Sequence, residues 1–492
     1  MTPDNLTSAT GRAVVVSTVF QETEAARRLG LEAYSYPFAA RAFLPLLRDW
    51  GETVLVDRPE SRVDHAIRQL VRKGLNPLHL SFLPLHATWL TSRAPNVCFP
   101  FWEYADLPDR PLGQNPRANW ANVAGHAALI LTASTFTRQV FERAGVRTPV
   151  RVVPVPVCPE YFALPDWEPG QRYQLDCPCY VFPTSTPDAP LPPDPWLPEQ
   201  RHRLRLVEIM GDVYRGHLRR LLPHGIDRCL TATARLLRAW RAEHRQEAVV
   251  VHPVTSQLDL SGVVYTTVLS PFDARKNLHD LLTAFLLAFG EQEDATLLVK
   301  LVINPERKVP ALNLVLSEVR RLGLSHRCKL VFVADYLSDD QMVELARAST
   351  YYVTATRAEG ACLPLRDFLA AGRPGVAPMH TALGDYFGPD MGFTIDSHPE
   401  PTCWPTDPSR RLTTTWHRIV WQSLFDQFRA SYNAAARQPG HYLRLAESAR
   451  WSLHRHASME HVGPLLMAAL DGLLAGPRVV PQPAANQGRT AA

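Results

Sequence analysis

Short apolar, β-branched runs recur along the first part of the chain, spaced so that one helix fits between neighbours: AVVVSTVF from Ala13, TVLVD from Thr53, LHLSFL from Leu78, NVCFPF from Asn96, ALILTAS from Ala128 and VRVVPV from Val150. Runs without polar alternation belong to strands covered on both faces, as in a parallel sheet. Helical stretches stand between them, among them PFAARAFLPLLRDWG from Pro37, VDHAIRQLVRKG from Val63 and TFTRQVFERAG from Thr135, the last with Ser134 as N-cap and Gly145 as stop. Parallel strands need a crossover rather than a hairpin, so the alternation restricts the chain to a doubly wound α/β sheet.

After Phe162 the rhythm breaks. Pro183, Pro187, Pro190, Pro192, Pro193, Pro195 and Pro198 fall within one short stretch, a density no regular element survives. Alternation resumes with strand-like VVYTTVL from Val263, ATLLVKLV from Ala295, KLVFVA from Lys329, TYYVTAT from Thr350 and GVAP from Gly375. Between these lie NLHDLLTAFLLAFG, SDDQMVELARAS and PLRDFLAAG; Leu278, Leu281, Leu282, Phe285, Leu286 and Phe289 make one apolar helix face, and Ser338 with Gln341 makes a capping box. With 492 residues and roughly 100–200 residues per domain, more than one domain is expected. The divisions expected are a first Rossmann-like domain over 10–162, a Pro-rich and Arg-rich insertion or linker over 163–260, a second Rossmann-like domain over 261–412, C-terminal helices over 413–475 and a disordered tail over 476–492. Neither half carries GxGxxG, so the plain dinucleotide fingerprint is missing.

No run approaches the ~18 apolar residues of a membrane span, and the polar start MTPDNLTSATGRAVVV lacks a signal core, so the expected location is the cytoplasm. The 8 cysteines read as reduced thiols, and Cys177 with Cys179 lacks zinc-site spacing. A net charge of +4 is too small to argue for a nucleic-acid partner. Locally, Arg201 to Arg245 is rich in arginine; it reads either as a solvated helical face or as a peripheral contact with an anionic membrane surface or lipid-linked phosphate.

Two constellations carry chemistry. In EGACLPLRDFLAAGRP, Glu359 directly follows a strand, at the edge where open α/β sheets bind ligands. Asp367 is expected in the first turn of the next helix, with the amides of Gly360, Ala361 and Cys362 accessible at its N-terminus. Helix-dipole complementation and a plain helix stop at Gly372 are the structural alternative. In SPFDARKNLHDLLTAF, Arg275 and Lys276 oppose a helix dipole, which is poor for stability and sensible where an anion sits; a solvated helix start is the alternative. Lys300, late in a buried strand, is expected to reach the same cleft, and His380 and Thr381 follow GVAP at the next loop. No Asp-x-Asp pair occurs, so no metal site is expected.

The succession of RKN, apolar helix, LLVKL, LVFVADYLSDDQMVELARAS and EGACLPLRDFLAAGRPGVAP resembles the C-terminal domain of the retaining, group 1 glycosyltransferases of the GT-B fold, whose marker is Glu, seven residues, Glu. NVCFPFWEYADLP and LTASTFTRQVFERAGVRTPVRVVPVPVCPEYF are similar to segments of the family's first domain and hinge. The resemblance implies two Rossmann-like domains facing across a cleft and sugar transfer from a nucleotide diphosphate to an acceptor hydroxyl, with retained configuration and no further cofactor. It implies Arg275 and Lys276 on the diphosphate, Glu359 with the amides of Gly360 to Leu363 on donor sugar and phosphate, and Asp367 on ribose. The acceptor would be a glycan, a lipid-linked group or another hydroxyl, in bacterial-type polysaccharide or glycoconjugate assembly.

This sequence departs from the pattern at Asp367, one methylene short of the usual Glu, at Cys362 in place of a glycine, and at Ser270 in place of an upstream arginine. Glu103 stands where many relatives carry a histidine facing the reaction centre, and either orients the acceptor or serves the packing of Trp102. A nucleotide-sugar epimerase and a non-catalytic scaffold that kept the nucleotide cleft are the competing readings.

Overall fold

The computed structural model describes residues 11–18, 34–111, 115–182, 255–404, 407 and 412–475. The proline run, the Arg201–Arg245 patch and the tail 476–492 lie outside them. Six parallel strands form the first sheet: β1 (Gly11–Ser17), β2 (Glu52–Val56), β3 (Leu75–Ser81), β4 (Asn96–Cys98), β5 (Leu129–Thr132) and β6 (Val150–Val152), in the order β2-β1-β3-β4-β5-β6. Val14 and Val16 pack on one face with Phe43 and Leu47 of helix Tyr36–Trp50, and Ala13 and Val15 on the other with Val63, Ile67 and Leu70 of helix Pro59–Arg72. Both faces of β1 are covered, which is why its central residues Ala13 to Val16 are continuously apolar.

The second sheet contains β7 (Tyr173–Phe182), β8 (Thr255–Leu260), β9 (Val263–Leu269), β10 (Ala295–Leu301), β11 (Lys329–Val333), β12 (Tyr351–Val353), β13 (Gly375–Pro378) and β14 (Gly392–Ile395), in the order β14-β13-β12-β9-β10-β11-β7-β8. From β9 to β14 the strands are parallel and wound outward in both directions from β9, so the order reverses between β9 and β12. β7 and β8 add an antiparallel pair on the β11 edge. The described ends of the stretch expected as an insertion thus belong to the second sheet.

Residues 413–419, placed with the C-terminal helices by sequence, instead form β16 (Thr413–Ile419), antiparallel to β15 (Ser397–Cys403). The β-branched run Thr413, Thr414 and Thr415 is the local reason. Helices follow at Trp421–Arg437, Pro439–Ala457 and Met459–Ala475. The first two are pinned to the second sheet by buried tyrosines: the Tyr351 hydroxyl donates to the Ser431 carbonyl (2.7 Å) and the Tyr442 hydroxyl to the Thr350 carbonyl (2.9 Å). The last helix returns to the first sheet, where Val462, Leu466 and Leu470 join the core around Val14 and Phe43. Its Asp471 accepts from the Trp50 indole (2.9 Å) and pairs with Arg12 (3.0 Å). The C-terminal helix therefore fastens the two halves together.

Candidate active site

The reversal of strand order leaves a crevice at the carboxyl ends of β9 and β12, because the connections leaving those strands run to opposite faces of the sheet. Beyond β9, Asp273 caps a single helical turn, Ala274–Lys276, by accepting from the Arg275 amide (3.0 Å). Beyond β12, the chain passes Glu359 and enters helix Leu363–Ala370 at Cys362. Asn277 (φ 55°), Cys362 (φ 51°) and Thr381 (φ 51°) are the non-glycine residues with left-handed backbone among the described residues. Of these Cys362 lines the crevice itself, while Asn277 follows Lys276 and Thr381 stands behind the Glu359 loop, so the strained positions collect around the candidate site.

Arg275, Lys276 and Glu359 meet in the crevice although 83 residues separate the last two. The Lys276 ammonium lies 2.5 Å from Glu359 Oε1, and Arg275 Nη1 lies 3.2 Å from Glu359 Oε2, with side chains only 10% and 6% exposed. Arg275 also pairs with Asp273 (3.0 Å) and, across the cleft, with Glu103 (3.6 Å), and it donates to the Ala358 carbonyl (2.5 Å). Burial alone would raise the Glu359 carboxyl, but Lys276 and Arg275 outweigh it and hold the group at about 2. Lys276 is correspondingly held above the usual lysine range, against burial, by Glu359. Burial pushes Glu103 up, and Arg275 only partly offsets it.

Glu103 is presented by the loop after β4. The Trp102 indole donates to the Asp106 carbonyl (3.0 Å), and the Trp102 carbonyl accepts from Thr137 (2.9 Å). The β15–β16 hairpin holds the same loop through Thr415, whose carbonyl accepts from the Ala105 amide (3.3 Å), and Thr414, whose hydroxyl accepts from the Asp106 amide (3.3 Å). Gly360 sits directly opposite: a Cβ there would come within 3.2 Å of the Trp102 backbone N and O. The two halves thus touch backbone to backbone beside the ion-pair cluster.

Around the cluster lies a cleft of about 1160 Å³. Tyr34, Trp102, Glu103 and Trp120 line it from the first half, and Arg275, Lys276, Lys300, Asp367 and Glu359 through Leu363 from the second. Lys300 reaches it, donating from Nζ to the Leu301 carbonyl (2.8 Å), and burial lowers its ammonium to about 8. Asp367 also faces the cleft, in the second rather than the first turn of its helix, so dipole complementation at the N-terminus is not its role. Burial raises it to about 7 against the pull of Arg366. The Cys362 thiol, pushed up to about 12 by burial, stays protonated.

His380 and Thr381 lie behind the cleft wall. The His380 ring stacks on His417 (4.2 Å) with Nε2 3.1 Å from the Thr356 carbonyl, and the Thr381 hydroxyl accepts from the Glu359 amide (3.0 Å). Both support the Glu359 loop from the rear. Sequence reading missed Asp273, although an Asp two residues before Arg275 is a turn-capping signal. It also missed Trp404, which packs on Trp102 at 5.0 Å from the hairpin and has no local signature.

Chemically, the site is a concave surface with two fixed cations at a strand-order reversal, screened by carboxylates and open to an anionic ligand. Among the described residues no group of three or more His, Cys, Asp or Glu is placed to hold a metal ion, and no helix is long and apolar enough to cross a membrane. No protein-family model and no curated protein matches the chain. Solved structures do match. A sucrose-phosphate synthase from Thermosynechococcus elongatus aligns over 94% of this chain and 99% of its own at 12% identity and a TM-score of 0.53. A glycosyltransferase from Rickettsia africae ESF-5 aligns over 95% of this chain and 100% of its own at 9% identity and a TM-score of 0.50. At these identities the likeness is one of fold, and the fold is GT-B: two Rossmann-like sheets facing across a cleft.

Proposed function

We propose that the protein is a glycosyltransferase that moves a sugar from a nucleotide-diphosphate sugar to an acceptor hydroxyl with retention of configuration. The observation that carries this reading is the cluster of Arg275, Lys276 and Glu359 at the strand-order reversal, with Glu103 facing it from the other sheet. Two cations fixed before any ligand arrives can take up the negative charge that grows on a departing diphosphate, a contribution on the order of 3 kcal/mol or more in preorganised sites. In this proposal no metal ion or further cofactor is needed. Glu359 holds the cations in place and receives hydroxyls of the donor sugar. The amides from Gly360 to Leu363, at the start of helix Leu363–Ala370, face the diphosphate, and Asp367 takes the ribose hydroxyls. The leaving phosphate itself accepts the proton of the acceptor, a glycan, lipid-linked group or other hydroxyl compound.

The two fold neighbours carry the names of a sucrose-phosphate synthase and a glycosyltransferase, which agrees with this reading. A role in polysaccharide or glycoconjugate assembly, and a membrane contact through residues 201–245, extend the same proposal. The test is calorimetric titration with UDP, GDP, ADP and dTDP, repeated on the Arg275→Ala, Lys276→Ala double variant. Binding of one nucleotide and its loss in the variant is the expected result. Product analysis with the matching nucleotide sugar then separates transfer from epimerisation, and binding without turnover favours a scaffold.

A further inference from the structure

Arg275 is shared by three carboxylates from three different segments: Asp273 on its own turn, Glu359 beyond β12, and Glu103 on the facing sheet. With Lys276 included, the cluster sets two cations against three carboxyl groups, so with all three ionised it carries one excess negative charge before any ligand enters. A diphosphate placed on Arg275 and Lys276 brings further negative charge into the same confined space. Like charges at these separations in a partly desolvated site cannot all stay ionised.

Of the three carboxylates, Glu103 is the one that gives way. Glu359 is gripped by both cations at 2.5 and 3.2 Å, and Asp273 is held at 3.0 Å within its own capped turn. Glu103 has the longest contact, 3.6 Å, to Arg275 alone, and reaches it from the other half of the molecule. Its side chain is 26% exposed and faces the cleft, so a proton can reach it. The charged groups acting on it are Arg275, Asp273 and Lys276 from the β9 loop and Glu359 from the β12 loop, and Tyr104 is its titratable neighbour in the chain. Burial already favours the neutral acid, and Arg275 is the main influence opposing it. A diphosphate that occupies Arg275 removes that opposition.

Resting on the donor-binding reading above, we propose that binding of a nucleotide-diphosphate sugar is coupled to uptake of one proton by Glu103. The carboxylate takes the proton from solvent, no other bond changes, and the ion pair to Arg275 is exchanged for one to phosphate. Glu103 is then a neutral hydrogen-bond donor on the acceptor side, and the pairing between the halves that involves it is released only when donor is present. In the free protein Glu103 serves as a placeholder anion for the diphosphate.

The experiment is calorimetry of the full chain with UDP-glucose, GDP-glucose, ADP-glucose and dTDP-glucose, whose diesterified diphosphates do not titrate near neutral pH. Each titration is run in two buffers of different ionisation enthalpy between pH 6 and 9, on wild type and on Glu103→Gln. Asp367 and Lys300 also line the cleft, so the comparison with the variant isolates Glu103. The expected result is proton uptake by wild type and an affinity that falls by up to about tenfold per pH unit on the alkaline side, the slope of a one-proton linkage. Glu103→Gln should lose that uptake and that share of the slope while binding at least as tightly at pH 8. Equal proton inventories in the two proteins overturn the coupling and leave the donor reading intact. Failure of all four conjugates to bind sinks both. Should Glu103→Gln not fold, Glu103→Ala makes the same comparison.

Discussion

Replacing Lys276 with methionine should cost the fold far more than loss of a surface lysine, and adding Glu359→Gln should return most of that loss. The Lys276 ammonium sits 2.5 Å from the Glu359 carboxylate, and both side chains are almost fully withdrawn from water. Removing one member of a buried ion pair leaves a charge without compensation, which costs about 3–5 kcal/mol. Here Arg275 still holds the other oxygen of Glu359 at 3.2 Å, so the expected loss is smaller, about 2–3 kcal/mol. With Gln at 359 no charge is stranded, and the double variant should show a coupling energy of about 1–3 kcal/mol. The assay is urea unfolding of the wild type, the two single variants and the double variant, followed by fluorescence and circular dichroism together. Acid supplies an internal control. Glu359 is lowered to about 2 from an ordinary 4.5, so the stability it contributes is complete above pH 4.5 and lost as pH falls through 2. The gap between wild type and Lys276→Met should therefore narrow across that interval. Single-variant losses that add within about 0.5 kcal/mol would refute the reasoning, since they would mean that Lys276 and Glu359 do not compensate each other.

Further predictions follow from the neighbours of that pair. Asp367 is raised to about 7 from 3.8, so an unfolded chain ionises it at a pH where the folded chain does not. Asp367→Asn should leave stability unchanged near pH 3, raise it increasingly between pH 3.8 and 7 and hold a constant gain above that, while weakening nucleotide binding; thermal melts across that range check the first part and calorimetry the second. Lys300 is lowered to about 8 from 10.5, so its buried charge costs stability below pH 8 and the cost fades toward pH 10.5. Lys300→Met should accordingly stabilise the protein at pH 7 and lose that advantage above pH 10.5, read from the same melts. Gly360→Ala would press a methyl group against the Trp102 backbone at 3.2 Å, between the two halves. It should lower kcat/KM by roughly tenfold or more with a much smaller change in melting temperature, because the contact lies at the domain junction rather than in either core.

Much of this was legible in the residues because the signals are local. The runs from Ala13 and Val263 are dominated by apolar and β-branched residues with no charged side chain, since each strand is covered on both faces, and that character survives without knowledge of what covers them. Ser134 and Ser338 cap their helices as their spacing requires. Arg275 and Lys276 are conspicuous in sequence because cations at a helix start work against the dipole unless an anion or carboxylate is present. The hairpin of β15 and β16 was not legible as strand although Thr413, Thr414 and Thr415 are β-branched, because its partner strand carries Pro399 and Pro401, and its contact with the Trp102–Asp106 loop, far away in sequence, has no local signature. His380 looked like a cleft residue from its place after β13, but its ring turns back onto His417 of that same hairpin.

The sequence by itself left the antiparallel strands β7, β8 and β16 unplaced. It determined that two doubly wound α/β halves would form, where most of their parallel strands and the helices between them lie, and which loops carry an acid or a pair of cations. These follow from periodicity and capping, which act over a few residues. Only the tertiary structure decided that β9 and β12 are neighbours, which joins Lys276 to Glu359, and that Glu103 reaches Arg275 from the opposite sheet. It also decided that Asp367 and Lys300 are dehydrated enough to hold their protons abnormally. Strand order, cleft closure and desolvation arise from packing among segments far apart in the chain, and no local pattern of residues encodes a distance between them.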